Sequence, residues 1–406
     1  MIETVVVGAG AAGLAASYHL AAAEREHVVL ERGEVGETWR TQRWDSFRLN
    51  TAGWMSGLPG AELPCEARAF AGADELVDLL DAYATSYRLP VRTGVRVSQL
   101  APSSGGWRLS TGEGEIDAHN VVIASGAQNV PRIPGSAARL PRSILQLHAA
   151  GYRRPDELPE GAVLVVGSAQ TGGQIAEELA ESGRRTFLCA SRVGRVPRHY
   201  RGRDVFEWWR DAGFLDERIE QVTDRAVFEQ RQPMISGTRG GHSLSLQDLA
   251  RDGVILLGRL RAIQGHQIQL AGDLEASVRF ADEMCERQRQ AIDKYIRRSG
   301  TDAPPPEDDT AGGEAIASGP TELDLSREGV TSVIWCTGFD GEVEWVPRPL
   351  RPRIGRPPST APGLYAVGFP WLRSRKSGLL CGLGEDAGHV ARRIVTRAMR
   401  VASRVS

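Results

Sequence analysis

The stretch TVVVGAGAAGLAASYHLA, residues 4–21, decides the fold, because it combines an apolar run, a glycine turn and an amphipathic pattern. The run at residues 5–7 predicts a buried strand, and the turn at residues 8–13 has Gly-x-Gly-x-x-Gly spacing. The following helix is expected to bury Leu14, Ala15, Tyr18 and Leu20. A second strand, EHVVLER, comes next and ends near Glu31. The order strand, glycine turn, helix and strand predicts a βαβ unit.

That order is what a bound dinucleotide requires. Gly8 permits the tight turn, Gly10 lets the backbone approach a pyrophosphate, and Gly13 lets the helix pack against the strand. The helix N-terminus directs N–H groups and a partial positive charge at the phosphates. Glu31, which lies 23 residues after Gly8, is placed to accept hydrogen bonds from ribose hydroxyls. The turn is therefore predicted to bind a nucleotide, and a glycine-rich turn without a ligand is the alternative.

A second copy of the pattern occurs at LVVGSAQTGGQIAEEL, residues 164–179, where Ala169 replaces the middle glycine. The strand after it, RRTFLCAS, ends at Ser191 and Arg192, with no acid at the position of Glu31. Serine and arginine suit a 2′-phosphate, which favours NADPH over NADH. Arg195 and Arg198 follow, and arginines on a solvated loop are the alternative. The residues predicted to bind this cofactor are Gly167, Ser168, Gln170, Thr171, Gly172, Ser191 and Arg192.

Length and composition limit the other classes of function. A chain of 406 residues favours two domains or one large domain with an insertion. The net charge of −2 gives no argument for nucleic acid or an anionic membrane as a partner. The sequence has no apolar run long enough for a membrane-spanning helix and no leader pattern, so we expect a cytoplasmic protein. Five scattered cysteines and eight scattered histidines predict no metal site and no C-x-x-C redox pair.

The two glycine turns, one N-terminal and one central, resemble those of class B flavoprotein monooxygenases, the flavin-containing monooxygenase-like family. Four further stretches carry the resemblance: residues 31–51, 121–135, 333–340 and 363–391. The likeness extends from residue 1 to about residue 395 and is nearest to bacterial proteins similar to plant indole-pyruvate monooxygenases.

The resemblance implies an α/β fold with two Rossmann-like dinucleotide-binding domains, the NADPH domain being inserted into the FAD domain. The expected divisions are residues 1–155 and 331–406 for FAD and 156–330 for NADPH. The implied activity is FAD-dependent oxygenation of nitrogen, sulfur or a carbonyl or keto-acid carbon through a C4a-(hydro)peroxyflavin, with NADPH and O2 consumed. An oxidase, a reductase and a non-catalytic flavin-binding protein are the alternatives. The sequence leaves open the substrate and the oligomeric state, a homodimer being one alternative.

The resemblance also implies which side chains meet the cofactors. Asn50 and Thr51, in RLNT, match the family position near the flavin ring, and Asn50 is the first candidate to support the reacting oxygen. A loop cap is the alternative for Asn50. The other residues expected at the cofactors are Gly8, Gly10, Ala11, Ala12, Gly13, Glu31, Arg32, Trp39, Arg40, Val97, Ser125, Gly126, Thr337 and Gly338.

The sequence departs from the family in the segment before the second nucleotide strand, RSILQLHAAGY, residues 142–152. The family fingerprint for this segment is Phe-x-Gly-x-x-x-His-x-x-x-(Tyr/Phe). His148 and Tyr152 match it, whereas Arg142 and Ile144 replace its phenylalanine and glycine. Two further stretches, residues 121–135 and 333–340, resemble the family's hinges, where a strand ends in an Ala-Thr-Gly-type motif and the chain passes between the domains. Here these motifs are altered to Ala-Ser-Gly at residues 124–126 and Cys-Thr-Gly at residues 336–338. These changes leave open how tightly NADP⁺ is held during turnover.

Three other stretches have two interpretations or a purely structural one. Phe206, Trp208 and Trp209 either line a substrate opening or belong to a half-buried helix. Arg373, Arg375 and Lys376 either face the flavin or substrate or are solvated. Residues 301–320, rich in proline, glycine and acid, predict a flexible surface loop.

Overall fold

The computed structural model describes residues 1–313, 316, 318–355 and 361–405. Its strands are β1 (Ile2–Val7), β2 (His27–Leu30), β3 (Val91–Arg92), β4 (Val97–Ser103), β5 (Gly106–Thr111), β6 (Gly114–Ile123), β7 (Val130–Pro131), β8 (Leu145–His148), β9 (Ala162–Val166), β10 (Thr186–Cys189), β11 (His199–Tyr200), β12 (Arg203–Asp204), β13 (Ile255–Leu257), β14 (Leu260–Gln264), β15 (Gln267–Leu270), β16 (Glu322–Asp324), β17 (Val330–Trp335), β18 (Phe339–Asp340) and β19 (Leu364–Ala366). Its helices are α1 (Ala11–Ala22), α2 (Glu37–Thr41), α3 (Ala73–Ser86), α4 (Gln170–Glu181), α5 (Val205–Asp211), α6 (Leu246–Arg251), α7 (Leu274–Ser299) and α8 (Leu380–Val405).

The first sheet has the strand order β3-β2-β1-β6-β5-β4, and β19 also pairs with β6. Strands β1, β2, β3, β6 and β19 run parallel, whereas β4 and β5 form an antiparallel extension. The apolar stripe of α1 packs under this sheet, where Leu14, Ala15 and Leu20 are buried as predicted. Tyr18 is only half-buried, and its ring lies between the buried Tyr83 and the exposed Tyr87.

The second sheet is entirely parallel, with the order β13-β10-β9-β17-β8. The central strands β9 and β10 are buried along their whole length, which matches their continuous apolar sequence. One mixed, largely parallel sheet and one parallel sheet in an α/β chain agree with the predicted fold class. The predicted division of the chain needs correction, because β8 precedes residue 156 and β17 extends past residue 330, yet both pair within the second sheet.

A short antiparallel ribbon, β7 with β18, carries the chain between the sheets in both directions. Asn129 N–H donates to the Asp340 carbonyl at 3.1 Å, and Arg132 N–H donates to the Gly338 carbonyl at 3.0 Å. The outgoing and returning passages are therefore hydrogen-bonded to each other, and the second sheet is an insertion between them.

The described part of residues 301–320 has no regular secondary structure over residues 301–309, and residues 314, 315 and 317 lie outside the described residues. Two acids nevertheless tie this segment to the second unit. Asp309 pairs with the buried Arg195, and Glu307 accepts hydrogen bonds from the backbone of Arg201 and Gly202. The predicted surface loop is thus anchored by ion pairs and hydrogen bonds where it is described.

Among the described residues, no helix combines the length and apolar character needed to cross a membrane. All five cysteines are described and none forms a disulfide. No cluster of three or more potential metal-ligating His, Cys, Asp or Glu side chains occurs in the described chain.

Candidate functional site

The first turn, residues 8–13, has the backbone that its glycines predict. Gly8 has φ of 109°, in the region that favours glycine, and its N–H donates to Leu30 O at 2.8 Å. A Cβ on Gly13 would lie 2.9 Å from the Gly8 carbonyl carbon, so α1 approaches the turn too closely for a side chain. A Cβ on Gly10 would meet nothing within 4 Å. The turn is therefore closed on its protein side and open beside Gly10.

The buried Glu31 carboxylate lies against this turn. Its Oε2 accepts a hydrogen bond from Ala9 N–H at 2.7 Å, and its Oε1 accepts one from Gly33 N–H at 3.0 Å. The first two residues of α1, Ala11 and Ala12, follow directly with their N–H groups at the positive end of the helix. Glycine turn, helix terminus and carboxylate are thus brought together as the sequence predicts.

The three residues after Glu31 that are predicted to contact the cofactor, Arg32, Trp39 and Arg40, each contact other side chains of the protein. Arg32 forms an ion pair with Glu342, 2.5 Å apart, which links this segment to the chain after β18. Trp39 lies under the guanidinium of Arg43, 4.5 Å from the ring centroid. Arg40 is exposed and pairs with a carboxylate on α3. The Arg40 guanidinium is therefore engaged by a protein carboxylate at the surface.

Asn50 lies where the first unit touches α4 of the second. Its Oδ1 accepts a hydrogen bond from Gln174 Nε2 at 2.9 Å, and its backbone carbonyl accepts one from Arg198 Nη1 at 2.7 Å. Gln174 Nε2 also donates to the Ile235 carbonyl at 3.0 Å. Within the described chain, Asn50 Nδ2 donates to no residue. The amide is consequently held with its oxygen toward α4 and its nitrogen free.

The side chains of Thr51 and Val97, two of the predicted cofactor residues, contact other protein groups. Thr51 Oγ1 lies 2.8 Å from Ser56 Oγ, so this hydroxyl closes the loop after Asn50. Val97 is buried in the core beneath the first sheet, in the same cluster as Leu30. The Val97 side chain is therefore not available to a ligand, whereas the half-buried Thr51 hydroxyl already has one protein partner.

The predicted hinge residues, Ser125, Gly126, Thr337 and Gly338, flank the β7–β18 ribbon. Ser125 Oγ donates to the Glu342 carbonyl at 2.6 Å, and Thr337 Oγ1 donates to the Arg132 carbonyl. Both hinge glycines have φ of 89°, which explains why each motif retains glycine at its third position. The hinge hydroxyls hold the two chain passages together.

The fingerprint segment also supports the hinge. His148 Nδ1 accepts from Ala150 N–H at 3.1 Å, which leaves Nε2 to donate to the Gly338 carbonyl at 3.0 Å. Burial lowers the pKa of His148, so the neutral ring is favoured in this position. Ile144, which replaces the family glycine, is buried in the core of the second sheet, whereas Arg142 is exposed. Packing of the isoleucine side chain accounts for that departure.

The second turn, residues 167–172, repeats the first. Gly167 has φ of 108°, and a Cβ on Gly172 would lie 2.8 Å from the Gly167 carbonyl carbon. Ala169 has φ −71° and ψ −173°, against φ −78° and ψ −178° at Gly10, and each residue is the N-cap of its helix. The methyl group of Ala169 therefore occupies the position that corresponds to the open space beside Gly10, and Ala169 also packs against the core of the second unit.

The hydroxyl and amide side chains of the second turn are partly engaged. Ser168 is fully buried, and its Oγ accepts from Ser191 N–H at 3.0 Å. The Ser168 hydroxyl therefore fastens the turn to the end of β10. Gln170 Nε2 donates to the Pro233 carbonyl at 3.0 Å. Thr171 is half-exposed at the start of α4, with a hydroxyl that meets no partner in the described residues.

The four basic and polar residues after β10 separate into two groups. Ser191 is half-buried and Arg192 exposed, with the Arg192 guanidinium 4.3 Å from the Phe280 ring centroid. Arg195 is buried between Asp282 and Asp309, and Arg198 is buried against Asp204. The alternative of arginines on a solvated loop is wrong for Arg195 and Arg198, because both form internal ion pairs.

The aromatic and basic stretches left open by the sequence are structural. Phe206 and Trp208 are buried in one core cluster and Trp209 packs against it, as a half-buried helix requires. The three C-terminal cations each pair with acids: Arg373 with Asp386, Arg375 with Glu217, and Lys376 with Asp216 and Glu385. None of these six side chains is a free group facing a ligand.

Sequence reasoning missed three side chains that organise this region. Gln174 and Arg198 fix Asn50, and Arg231 Nη1 lies 3.3 Å from Ser191 Oγ. Each lies far along the chain from the residue it contacts, and none falls within the Gly-x-Gly-x-x-Gly pattern. Only Gln174 could have been expected near the site, because it lies one helical turn into α4, directly after the second glycine turn.

Comparison with known proteins places this geometry in context. A family described as pyridine nucleotide-disulphide oxidoreductase matches residues 5–201. An uncharacterized CzcO-like oxidoreductase of Geobacillus kaustophilus is 27% identical over 397 residues, which cover 96% of this chain and 97% of that protein. The indole-3-pyruvate monooxygenase YUCCA1 of rice, Oryza sativa subsp. japonica, is 26% identical, with coverage of 96% and 90%. The structure of a flavin-containing monooxygenase from Stenotrophomonas maltophilia aligns with a TM-score of 0.65 at 19% identity, covering 98% of this chain and 99% of that one.

Proposed function

We propose that this chain is a class B flavin monooxygenase-like protein and that it uses FAD, NADPH and O2 to oxygenate a small-molecule substrate. The observation that carries the proposal is the repetition of one turn geometry, with the same glycine contacts and the same N-cap backbone in residues 8–13 and 167–172. Such a turn holds a pyrophosphate at a helix N-terminus. Two such turns correspond to two dinucleotides.

FAD fits the first turn. The space beside Gly10 would be filled by a Cβ, as expected where a pyrophosphate approaches the backbone. Glu31 supplies a buried acceptor for ribose hydroxyls at the end of β2. Gly368, with φ of 85°, lies so close to Ala12 that any side chain would clash, which brings the C-terminal segment over the same helix end. We propose that these residues hold the cofactor.

NADPH fits the second turn. Gly167, Gly172 and the start of α4 repeat the phosphate-facing geometry, with Thr171 adding a free hydroxyl. Ser191 and Arg192 replace the acid that would otherwise favour NADH. The unit around the second sheet is therefore the proposed NADPH domain.

FAD reduced by NADPH supplies the oxygen-activating chemistry in this proposal. The residues of the chain bind the cofactors, orient the substrate and exclude water. Asn50 is the proposed hydrogen-bond donor, because Gln174 occupies its oxygen and leaves Nδ2 free. The substrate atom is proposed to be nitrogen, sulfur or a carbonyl carbon. Reduction of a disulfide substrate is disfavoured, because the five cysteines are free and no two of them have the C-x-x-C spacing of a redox pair.

One experiment tests the proposal. The purified protein is analysed for bound FAD, and NADPH oxidation, O2 consumption and peroxide release are then followed with panels of amines, sulfides and carbonyl compounds. A compound that accelerates NADPH oxidation, lowers peroxide release and gains one oxygen atom supports the monooxygenase. Stoichiometric peroxide with every compound favours an oxidase, reduction without O2 consumption favours a reductase, and absence of flavin reduction contradicts all three enzymes.

A further inference from the structure

The segment from Gln230 to Ser236, here termed the strap, runs beside the second turn. Gln170 donates to the Pro233 carbonyl, and Gln174 donates to the Ile235 carbonyl. Met234 N–H donates to the Gly194 carbonyl at 2.8 Å, which fixes the strap beside the chain that follows β10. The strap therefore spans from α4 to the end of β10.

Arg231 of the strap reaches the place where β10 ends. Its Nη1 lies 3.3 Å from Ser191 Oγ, and Ser191 N–H is in turn held by Ser168. Ser191 is thereby fixed to the second turn, with Arg231 beside its hydroxyl. Arg192 is the next residue of the chain, and its guanidinium lies over the Phe280 ring.

The charges around Ser191 are not balanced by protein groups. Arg195, Arg198, Arg201 and Arg203, farther along the same loop, each pair with a carboxylate. Arg192 and Arg231, by contrast, pair with no carboxylate of the described chain. An exposed guanidinium is well solvated without a partner, but one beside a serine hydroxyl, with a second unpaired arginine on the next residue of the chain, suits a dianion.

We infer that Arg231 is a specificity-determining residue that binds the 2′-phosphate of NADPH together with Ser191 and Arg192. The inference rests on the proposed NADPH site and adds a cation that neither the turn nor the strand contains. Because Arg231 belongs to the strap, phosphate binding also ties the strap across the cofactor. Cofactor preference would thus be set jointly by two segments far apart in sequence.

Titration calorimetry of the FAD-loaded protein with adenosine 2′,5′-bisphosphate and with adenosine 5′-phosphate tests this inference. Loss of one charged hydrogen-bond partner predicts roughly tenfold weaker binding of the bisphosphate by Arg231→Ala. Binding of the monophosphate is expected to be unchanged, and Arg231→Lys to recover part of the loss. Arg225→Ala removes the same charge from the preceding turn, where Arg225 donates to the Gly355 carbonyl, and is expected to bind both ligands normally.

The outcomes separate the inference from the proposed function. Wild-type preference for the bisphosphate that is retained by Arg231→Ala, with an unchanged melting temperature, overturns the role of Arg231 and leaves the NADPH site standing. A wild type without preference for the bisphosphate overturns both. Equal losses in Arg231→Ala and Arg225→Ala indicate a general charge effect and also contradict the specific contact.

Discussion

Gln174 Nε2 lies 2.9 Å from Asn50 Oδ1, and this bond joins the helix of the second turn to the loop proposed to face the flavin. Because Gln174 also donates to Ile235, its amide nitrogen faces two acceptors and its orientation is determined. The orientation of the Asn50 amide follows from that of Gln174. The two units therefore share the group that is the first candidate to support oxygen chemistry.

Replacing Gln174 with glutamate is expected to reverse the Asn50 amide, since a carboxylate accepts from Nδ2 and cannot donate to Oδ1. Gln174→Glu should therefore oxidise NADPH severalfold faster without substrate, releasing peroxide, while FAD content stays the same. Gln174→Leu removes the bond without imposing the reversed orientation and should cost about 1–3 kcal/mol of stability, measured by urea unfolding. A folded Gln174→Glu enzyme with wild-type peroxide release would contradict this role of Asn50.

The glycines of the first turn should separate folding from FAD binding. Gly10→Ala is expected to fold normally, because φ −78° and ψ −178° suit alanine and its Cβ meets nothing within 4 Å. The same substitution should lower FAD content, measured as the flavin-to-protein absorbance ratio. Gly13→Ala should instead destabilise the fold by about 1–3 kcal/mol or more, because its methyl meets the Gly8 carbonyl. Full FAD occupancy in Gly10→Ala would argue against a pyrophosphate at this turn.

Ala169→Gly should have the opposite effect at the second turn. Removing the methyl opens the space that Gly10 leaves free in the first turn, so NADPH should bind severalfold more tightly. FAD content should not change, since the first turn is untouched. Calorimetry of the variant with NADPH gives the affinity. If neither quantity changes, the nicotinamide cofactor does not use this turn.

His242 predicts a pH dependence of stability. Burial disfavours its charged ring, but the hydrogen bond and charge of Glu177, 2.8 Å away, outweigh that effect and raise the pKa of His242 above 6.5. A raised folded pKa contributes stability that is fully present below pH 6.5 and lost as the pH rises through the folded value. His242→Gln should therefore lower the melting temperature more at about pH 6 than at about pH 8. An equal decrease at both values would contradict the charged pair.

Both turns and the two-sheet fold were predictable because they depend on local patterns of glycine spacing and apolar runs. The limits of the second unit were not, since they depend on pairing between distant strands, β17 with β9 and β8 with β17. Arg195 and Arg198 follow Arg192 closely in the sequence, yet both are buried in ion pairs, Arg195 with the distant Asp309 and Arg198 with the nearby Asp204. Sequence patterns thus identified backbone geometry well and the partners of individual side chains poorly.

The paired strands β7 and β18 have a consequence for how such a chain can arise and be altered. Because the second unit leaves and rejoins the first at adjacent, hydrogen-bonded positions, its two ends are already side by side. A unit of this kind can be acquired or exchanged as one piece without cutting any strand of the host sheet. Chimaeras that join foreign nucleotide units at Val130 and Phe339 would preserve the first sheet and offer a direct route to altered coenzyme use.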